Sequence, residues 1–331
     1  MTQWPTPQMV ETKDFTLAVY EFGPKPGETD KPTLVFMHGF PELAYSWRYQ
    51  AHYFAAEGYP VLVPDMPGYG KSSKPDNVSD YTMTKLTGAM ADMIKAYGID
   101  KAVFVGHDWG ALVLWQMPFY VPEILLGCAG LNVPLLPHYP MDPVQMMRAG
   151  LGDDMYIVRF QKDDGSCEKI LEKDPLHTMR FFLRKPGKNT KRVKNESQRK
   201  NSLNLLDMIE AGEQSWGGEL LLGEEDVQVY VDAFKAGGYR APIHWYRNMT
   251  ANWQDQKRFV NEEGQLPTVE IPTLMITADM DRACPAHLAD GMDALCTDYR
   301  RHDLSGCGHW SMQEQPDEVN KAIQSWLNDS V

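Results

Sequence analysis

Residues 101–115 read KAVFVGHDWGALVLW, a short apolar run, a tight G-H-D-W-G, and a second apolar run at helical spacing. Few chains can accommodate this text except as a strand that turns sharply into a helix. Gly106 and Gly110 permit a strained turn, which lifts the side chain of Asp108 above the end of the strand. Its position between an apolar strand and a helix separates this motif from the common accidental Gly-x-Asp-x-Gly turn. A carboxylate so placed needs no base to ionise it at neutral pH. It can attack a saturated carbon by displacement and form an alkyl ester.

The rest of the chain supplies the sheet that such a turn requires. Apolar strand runs are predicted at 33–37, 60–64, 101–105, 125–131 and 272–277, with an antiparallel pair inside 15–22. Helical periodicity is clear at 82–97, from 110 to about 120, and at 316–328. This alternation predicts an α/β protein with a mostly parallel central sheet flanked by helices. It breaks between 135 and 262, where the text turns helical, charged and rich in Met and aromatics, and it resumes at Pro272. An insertion into one continuing sheet explains the break. The expected organisation is a core of residues 1–134 and 263–331 with a mainly helical cap at 135–262, over the strand ends where open sheets bind ligands.

Charge and cysteine usage narrow the partners. A formal net charge of −13 repels phosphate backbones and anionic lipid, so nucleic acid and membrane surfaces are not expected partners. The apolar stretch at 111–137 is interrupted by Pro118, Pro122, Glu123 and Asn132, as a buried helix and strand would be and a membrane span would not. The opening MTQWPTPQMVETKDF has no basic region leading an apolar one, so a cytoplasmic protein is expected, and the four N-x-S/T matches carry no meaning there. Five scattered cysteines without CxxC spacing argue against disulfides and zinc. No metal or cofactor is expected. Residues 184–200 hold eight basic residues and one acidic residue, a composition that favours a solvated loop over an anion site.

Two further motifs surround Asp108. H-G-F-P-E at 38–42 follows a strand, and the backbone N–H groups of Phe40 and Trp109 are candidate oxyanion donors. A cis-proline turn at Pro41 is the plainer reading of the same motif, and both can hold together. D-M-D at 279–281 and G-C-G-H-W at 306–310 follow the last strand. They complete the order nucleophile, acid, histidine with Asp108, either Asp279 or Asp281, and His309. His309 would activate water against the ester while the acid fixes its tautomer. His38, Pro41, Glu42, His107 and Trp245 are candidate pocket residues beside these motifs, Glu42 being placed to position that water. If the substrate is a strained cyclic ether, its oxygen also needs an acid, and tyrosine hydroxyls serve well because they stay neutral. Cap segments M-Y-I-V-R-F-Q and H-W-Y-R-N-M offer Tyr156 and Tyr246, but pattern alone does not single them out among 15 tyrosines.

H-G-F-P-E-L, G-H-D-W-G-A, W-Y-R-N-M and G-H-W resemble the motifs of the soluble epoxide hydrolases of the α/β-hydrolase fold, over nearly the whole chain from about Phe15 to Leu327. The resemblance implies hydrolysis of an epoxide with water to a vicinal diol. It places the nucleophile at Asp108, the acid at Asp281 through A-D-M-D, the base at His309, and the oxirane-binding tyrosines at Tyr156 and Tyr246. No phosphatase activity is implied, because this chain has no room for the extra N-terminal domain of the vertebrate enzymes. Haloalkane dehalogenases are the competing resemblance, since they also carry Asp in the turn. They need a second halide-binding side chain, and Phe40 stands where many have Asn. A non-catalytic ligand receptor built on the same fold is the third reading, disfavoured by a full set of triad candidates. The oligomeric state and the particular epoxide are not legible.

Overall fold

A computed structural model of the protein describes residues 4–187 and 203–331. Ten strands run in chain order: β1 (Gln8–Glu11), β2 (Thr16–Phe22), β3 (Leu34–Met37), β4 (Val61–Pro64), β5 (Ala102–His107), β6 (Leu125–Leu131), β7 (Arg184–Lys185), β8 (Glu219–Leu220), β9 (Thr273–Ala278) and β10 (Tyr299–Leu304). Eight of them form one sheet in the order β1-β2-β4-β3-β5-β6-β9-β10. The first two pairings, β1 with β2 and β2 with β4, are antiparallel, and the others are parallel.

Successive side chains of a strand point to opposite faces. Leu34, Phe36, Val103 and Val105 therefore pack on one face with Trp47, Ile323 and Trp326. Val35, Met37 and Phe104 pack on the other with Leu86, Met90 and Trp115. Burial on both faces is why β3, β4, β5 and β9 read as unbroken apolar runs. The helix Met83–Ala96 covers one face through Leu86, Met90, Met93 and Ile94, a helical stripe. The helix Pro316–Ser330 covers the other through Val319, Ile323, Trp326 and Leu327, and Pro316 starts it where a missing N–H costs nothing.

The five expected apolar strands form within two residues of their expected bounds. Three expectations need correction. The antiparallel pair does not lie inside 15–22: that segment is β2 alone, and its partner β1 precedes it. The helix expected at 110–120 is two, Trp109–Leu114 and Met117–Tyr120, because Pro118 has no N–H with which to continue the ladder. An additional strand, β10 (YRRHDL), closes one edge parallel to β9 and leaves no apolar run in the sequence, because an edge strand carries solvated charge.

The sheet continues across the break in the pattern, β6 pairing with β9 from Cys128↔Thr273 to Leu131↔Ile276. The residues between them form helices and the small β7–β8 ladder. Phe160, Leu171, Tyr230 and Trp245 from these helices share a continuous core with Met37, Phe40 and Trp109. Of the basic stretch 184–200, Arg184 and Lys185 form β7, and residues 188–200 lie outside the described residues. Among the described residues no helix is long and apolar enough to cross a membrane.

Candidate active site

The turn at the end of β5 holds Asp108 at φ 51 and ψ −119, in a region that side chains other than glycine rarely adopt. Three glycines make room for it. A Cβ on Gly39 would lie 2.3 Å from Asp108 Oδ1, one on Gly106 2.5 Å from the Gly110 carbonyl oxygen, and one on Gly110 2.2 Å from that of Met37. The β3 loop, with its cis Phe40–Pro41 peptide, thus presses directly on the turn. The cis-proline reading of this loop holds, and the Phe40 N–H donates to Asp108 Oδ1 at 2.8 Å. Trp109 opens the helix that follows, so its N–H has no acceptor within that helix.

His309 sits on the other carboxylate oxygen, Nε2 lying 3.6 Å from Asp108 Oδ2. Its Nδ1 meets Asp281 Oδ2 at 2.8 Å. Asp281 is locked in place by the N–H groups of Ala283 (2.8 Å) and Cys284 (3.0 Å) on Oδ1 and by Asn132 Nδ2 (2.8 Å) on Oδ2. Asp279 has a different task. Its Oδ1 accepts from the Gly306 N–H at 2.8 Å and its Oδ2 from Ser305 Oγ at 3.3 Å, which shapes the loop that delivers the histidine.

Burial alone would lower the pKa of His309, but the Asp281 and Asp108 carboxylates overcome it and raise it well above 6.5. Burial would likewise raise Asp108 and Asp281. The imidazole of His309 instead holds both below the usual carboxylate range, helped by the Phe40 N–H at Asp108 and by the Cys284 N–H and Asn132 at Asp281.

Asp108 opens onto a cavity of about 500 Å³ whose wall, among the described residues, is otherwise uncharged and largely apolar. Tyr156 and Tyr246 line the same cavity, with ring centroids 5.8 Å apart. Tyr246 is wedged edge-on against Trp109 (4.9 Å) and Phe40 (5.4 Å). Burial first, with the charge of Asp108 and close neighbours after it, pushes both phenols well above 10, so they are neutral donors at any working pH.

Four of the expected pocket residues, His38, Glu42, His107 and Trp245, are fully buried behind the cavity wall, and Pro41 is buried in the loop beside them. Their polar atoms explain why. His38 bridges the Gly39 carbonyl and the Met66 N–H, and Trp245 Nε1 donates to the Pro67 carbonyl at 3.0 Å. Glu42 Oε1 accepts from the Gly39 N–H (3.0 Å) and from His107 Nδ1 (2.6 Å), while His107 Nε2 contacts the His309 carbonyl oxygen at 2.7 Å. Burial would raise Glu42, yet His107 holds it below the usual range. Glu42 Oε2 is buried without a protein partner among the described residues.

Two supporting residues gave no sequence signal beyond a polar residue in an apolar setting. Asn132, at φ 66 just after β6, holds Asp281 and takes the Ser311 hydroxyl at 2.6 Å. Arg247 ties the two tyrosine-bearing helices together, donating to the carbonyls of Phe160 (3.0 Å) and Lys162 (2.6 Å) and to Glu168 (2.8 Å). Gln161 Nε2 completes the clamp on the Tyr246 carbonyl at 3.0 Å.

Residues 32–316 match the alpha/beta hydrolase fold family. The chain is 32% identical over 329 residues to epoxide hydrolase A of Mycobacterium tuberculosis, covering 98% of this chain and 97% of that protein. It is 34% identical over 300 residues to the bifunctional epoxide hydrolase 2 of Sus scrofa, where the match spans 89% of this chain but 51% of the relative. The crystal structure of epoxide hydrolase A from Mycobacterium thermoresistibile superposes with a TM-score of 0.84 at 31% identity, over 99% of each chain. With this likeness along its whole length, the chain belongs to the epoxide hydrolases of the α/β-hydrolase fold.

Proposed function

We propose that this enzyme converts an oxirane and water to a vicinal diol through an alkyl ester on Asp108, with residues 135–262 acting as a cap over the site. One observation carries the reading: the carboxylate on the strained turn and two neutral tyrosines, Tyr156 and Tyr246, line one largely apolar cavity. A haloalkane would have no use for the tyrosine pair.

In the first half-reaction Asp108 Oδ2 attacks an oxirane carbon, because Oδ1 is held by the Phe40 N–H. The C–O bond breaks as Tyr156 and Tyr246 hydrogen-bond the departing oxygen and one of them supplies its proton. In the second, His309 takes a proton from water, the resulting hydroxide attacks Cγ of the ester, and charge gathers on Oδ1. The N–H groups of Phe40 and Trp109 meet it there. Asp281 holds the imidazole and balances its charge. Collapse expels the alkoxide, which takes the proton of the new Asp108 carboxylic acid to give the diol; the His309 imidazolium returns its proton to the tyrosinate, and the water oxygen stays on the Asp108 carboxylate. Glu42 acts from behind, its unpaired Oε2 helping to position that water. The partners are a small neutral epoxide and water in the cytosol, in keeping with the net charge of −13.

The test is a single turnover in heavy-oxygen water with fatty-acid, styrene-type and small alkyl epoxides. The diol should carry unlabelled oxygen and the peptide bearing Asp108 should gain the label. Labelled diol, or no diol from any oxirane, overturns the proposal.

A further inference from the structure

Among the uncharged residues of the cavity wall are three carboxamides, Gln116, Asn252 and Gln256, whose oxygens are already committed. Asn252 Oδ1 accepts from the Met83 N–H at 2.8 Å. Only an oxygen can accept there, so the Asn252 amide is fixed with its NH₂ on the other side. Gln116 Oε1 accepts from Gln256 Nε2 at 2.8 Å, and Gln256 Oε1 in turn meets His138 Nδ1 at 2.7 Å. With Gln116 Oε1 facing Gln256 Nε2, His138 donates to Gln256 and Gln256 to Gln116. The Gln116 NH₂ is left as the free donor end, with no partner among the described residues. His138 is itself held by a stacked Trp253, interplanar angle 1°.

We propose that Gln116 and Asn252 form a specificity subsite for a neutral hydrogen-bond acceptor, an ester, amide or ether oxygen, on the arm of the substrate remote from the oxirane. This rests on the epoxide-hydrolysing reading above. Neutrality follows from the wall: Asp108 is its one charged residue among those described, so a carboxylate seated at the amides would be buried without a counter-ion. Spacing follows from the helix. Gln116 lies eight residues past Asp108 on a nearly continuous helical path, roughly 12 Å at 1.5 Å per residue, shortened to about 10 Å by the backward tilt of helical side chains. An extended chain advances roughly 1.2 Å per bond, so about eight bonds separate the attacked carbon from the acceptor.

The probes are the methyl ester of an ω-epoxy octanoic acid, whose carbonyl oxygen lies eight bonds from the terminal oxirane carbon, the plain terminal epoxide of equal length, and the free acid. Each is assayed for kcat/KM with the wild-type enzyme and with Gln116→Met, which keeps volume and removes the donor. The readout is the ratio of ester to plain epoxide within each enzyme, so a general loss of activity cancels. In the wild type the ester should be favoured about five- to tenfold, chiefly through KM, and over the free acid as well. In Gln116→Met the ester-to-alkyl ratio should fall toward one. A wild-type ratio near one, a preference for the free acid, or a ratio unchanged by the substitution overturns the subsite while leaving epoxide hydrolysis standing. If no probe yields diol, the epoxide reading falls and the subsite with it.

Discussion

His309 lies between two carboxylates in the free enzyme, and this gives its titration a direction. Both carboxylates raise its pKa against the effect of burial, so the resting imidazole holds its proton firmly. In the proposed mechanism, esterification of Asp108 would remove one of the two charges, lower that pKa, and free the imidazole to act as a base when it is needed. Ring opening in the proposed mechanism requires ionised Asp108 and protonated tyrosines, whose pKa values are held below the usual carboxylate range and well above 10 respectively. Rapid-quench measurements should therefore show ester formation flat between about pH 5 and 9 and ester hydrolysis falling as pH drops through the lowered His309 pKa. An acid limb on ester formation alone would contradict this order. The sequence presented Asp279 and Asp281 as equivalents, and motif resemblance favoured the second. The physical distinction is that Asp281 faces Nδ1 while Asp279 accepts from the Gly306 N–H.

At the scale of elements, the site depends on two helices meeting at the correct register. Arg247 joins the helix Arg240–Arg247 to the helix Tyr156–Phe160, and both it and Glu168 are buried. Arg247→Met should leave Glu168 without its main counter-ion and cost about 3–5 kcal/mol in urea unfolding. The same variant should slow ring opening, since the tyrosines would no longer be fixed relative to Asp108. Unchanged stability would show that the clamp is dispensable. Strand existence was legible because both faces of β3, β5 and β9 are buried, whereas β10 was not, because Arg300, Arg301 and Asp303 keep an edge strand in water.

Across the whole molecule, the inserted helices are fastened to the sheet by buried polar contacts as well as by the shared core. Asp226 accepts from Tyr45 Oη at 2.7 Å and pairs with Arg48 at 3.4 Å, and Arg48 also donates to Gln313 at 2.7 Å. Ser46 and Tyr230 join the same cluster at 2.9 Å. Asp226→Ala should destabilise the protein by about 2 kcal/mol, because Arg48 keeps its other acceptors but loses its carboxylate. A urea midpoint equal to the wild type would remove Asp226 from this role.

What the sequence alone determined was local. Strand and helix periodicity, the glycines of the turn at Asp108 and the order of the chemical motifs are all properties of neighbouring residues, and they were readable without a partner. Which histidine meets Asp108 and which lie behind the cavity wall, which aspartate meets His309, and that His138, Gln256 and Gln116 join in one hydrogen-bonded chain were decided only by tertiary packing. Each of those facts depends on residues far apart in the chain competing for the same buried hydrogen bonds, and no local pattern records the outcome of that competition.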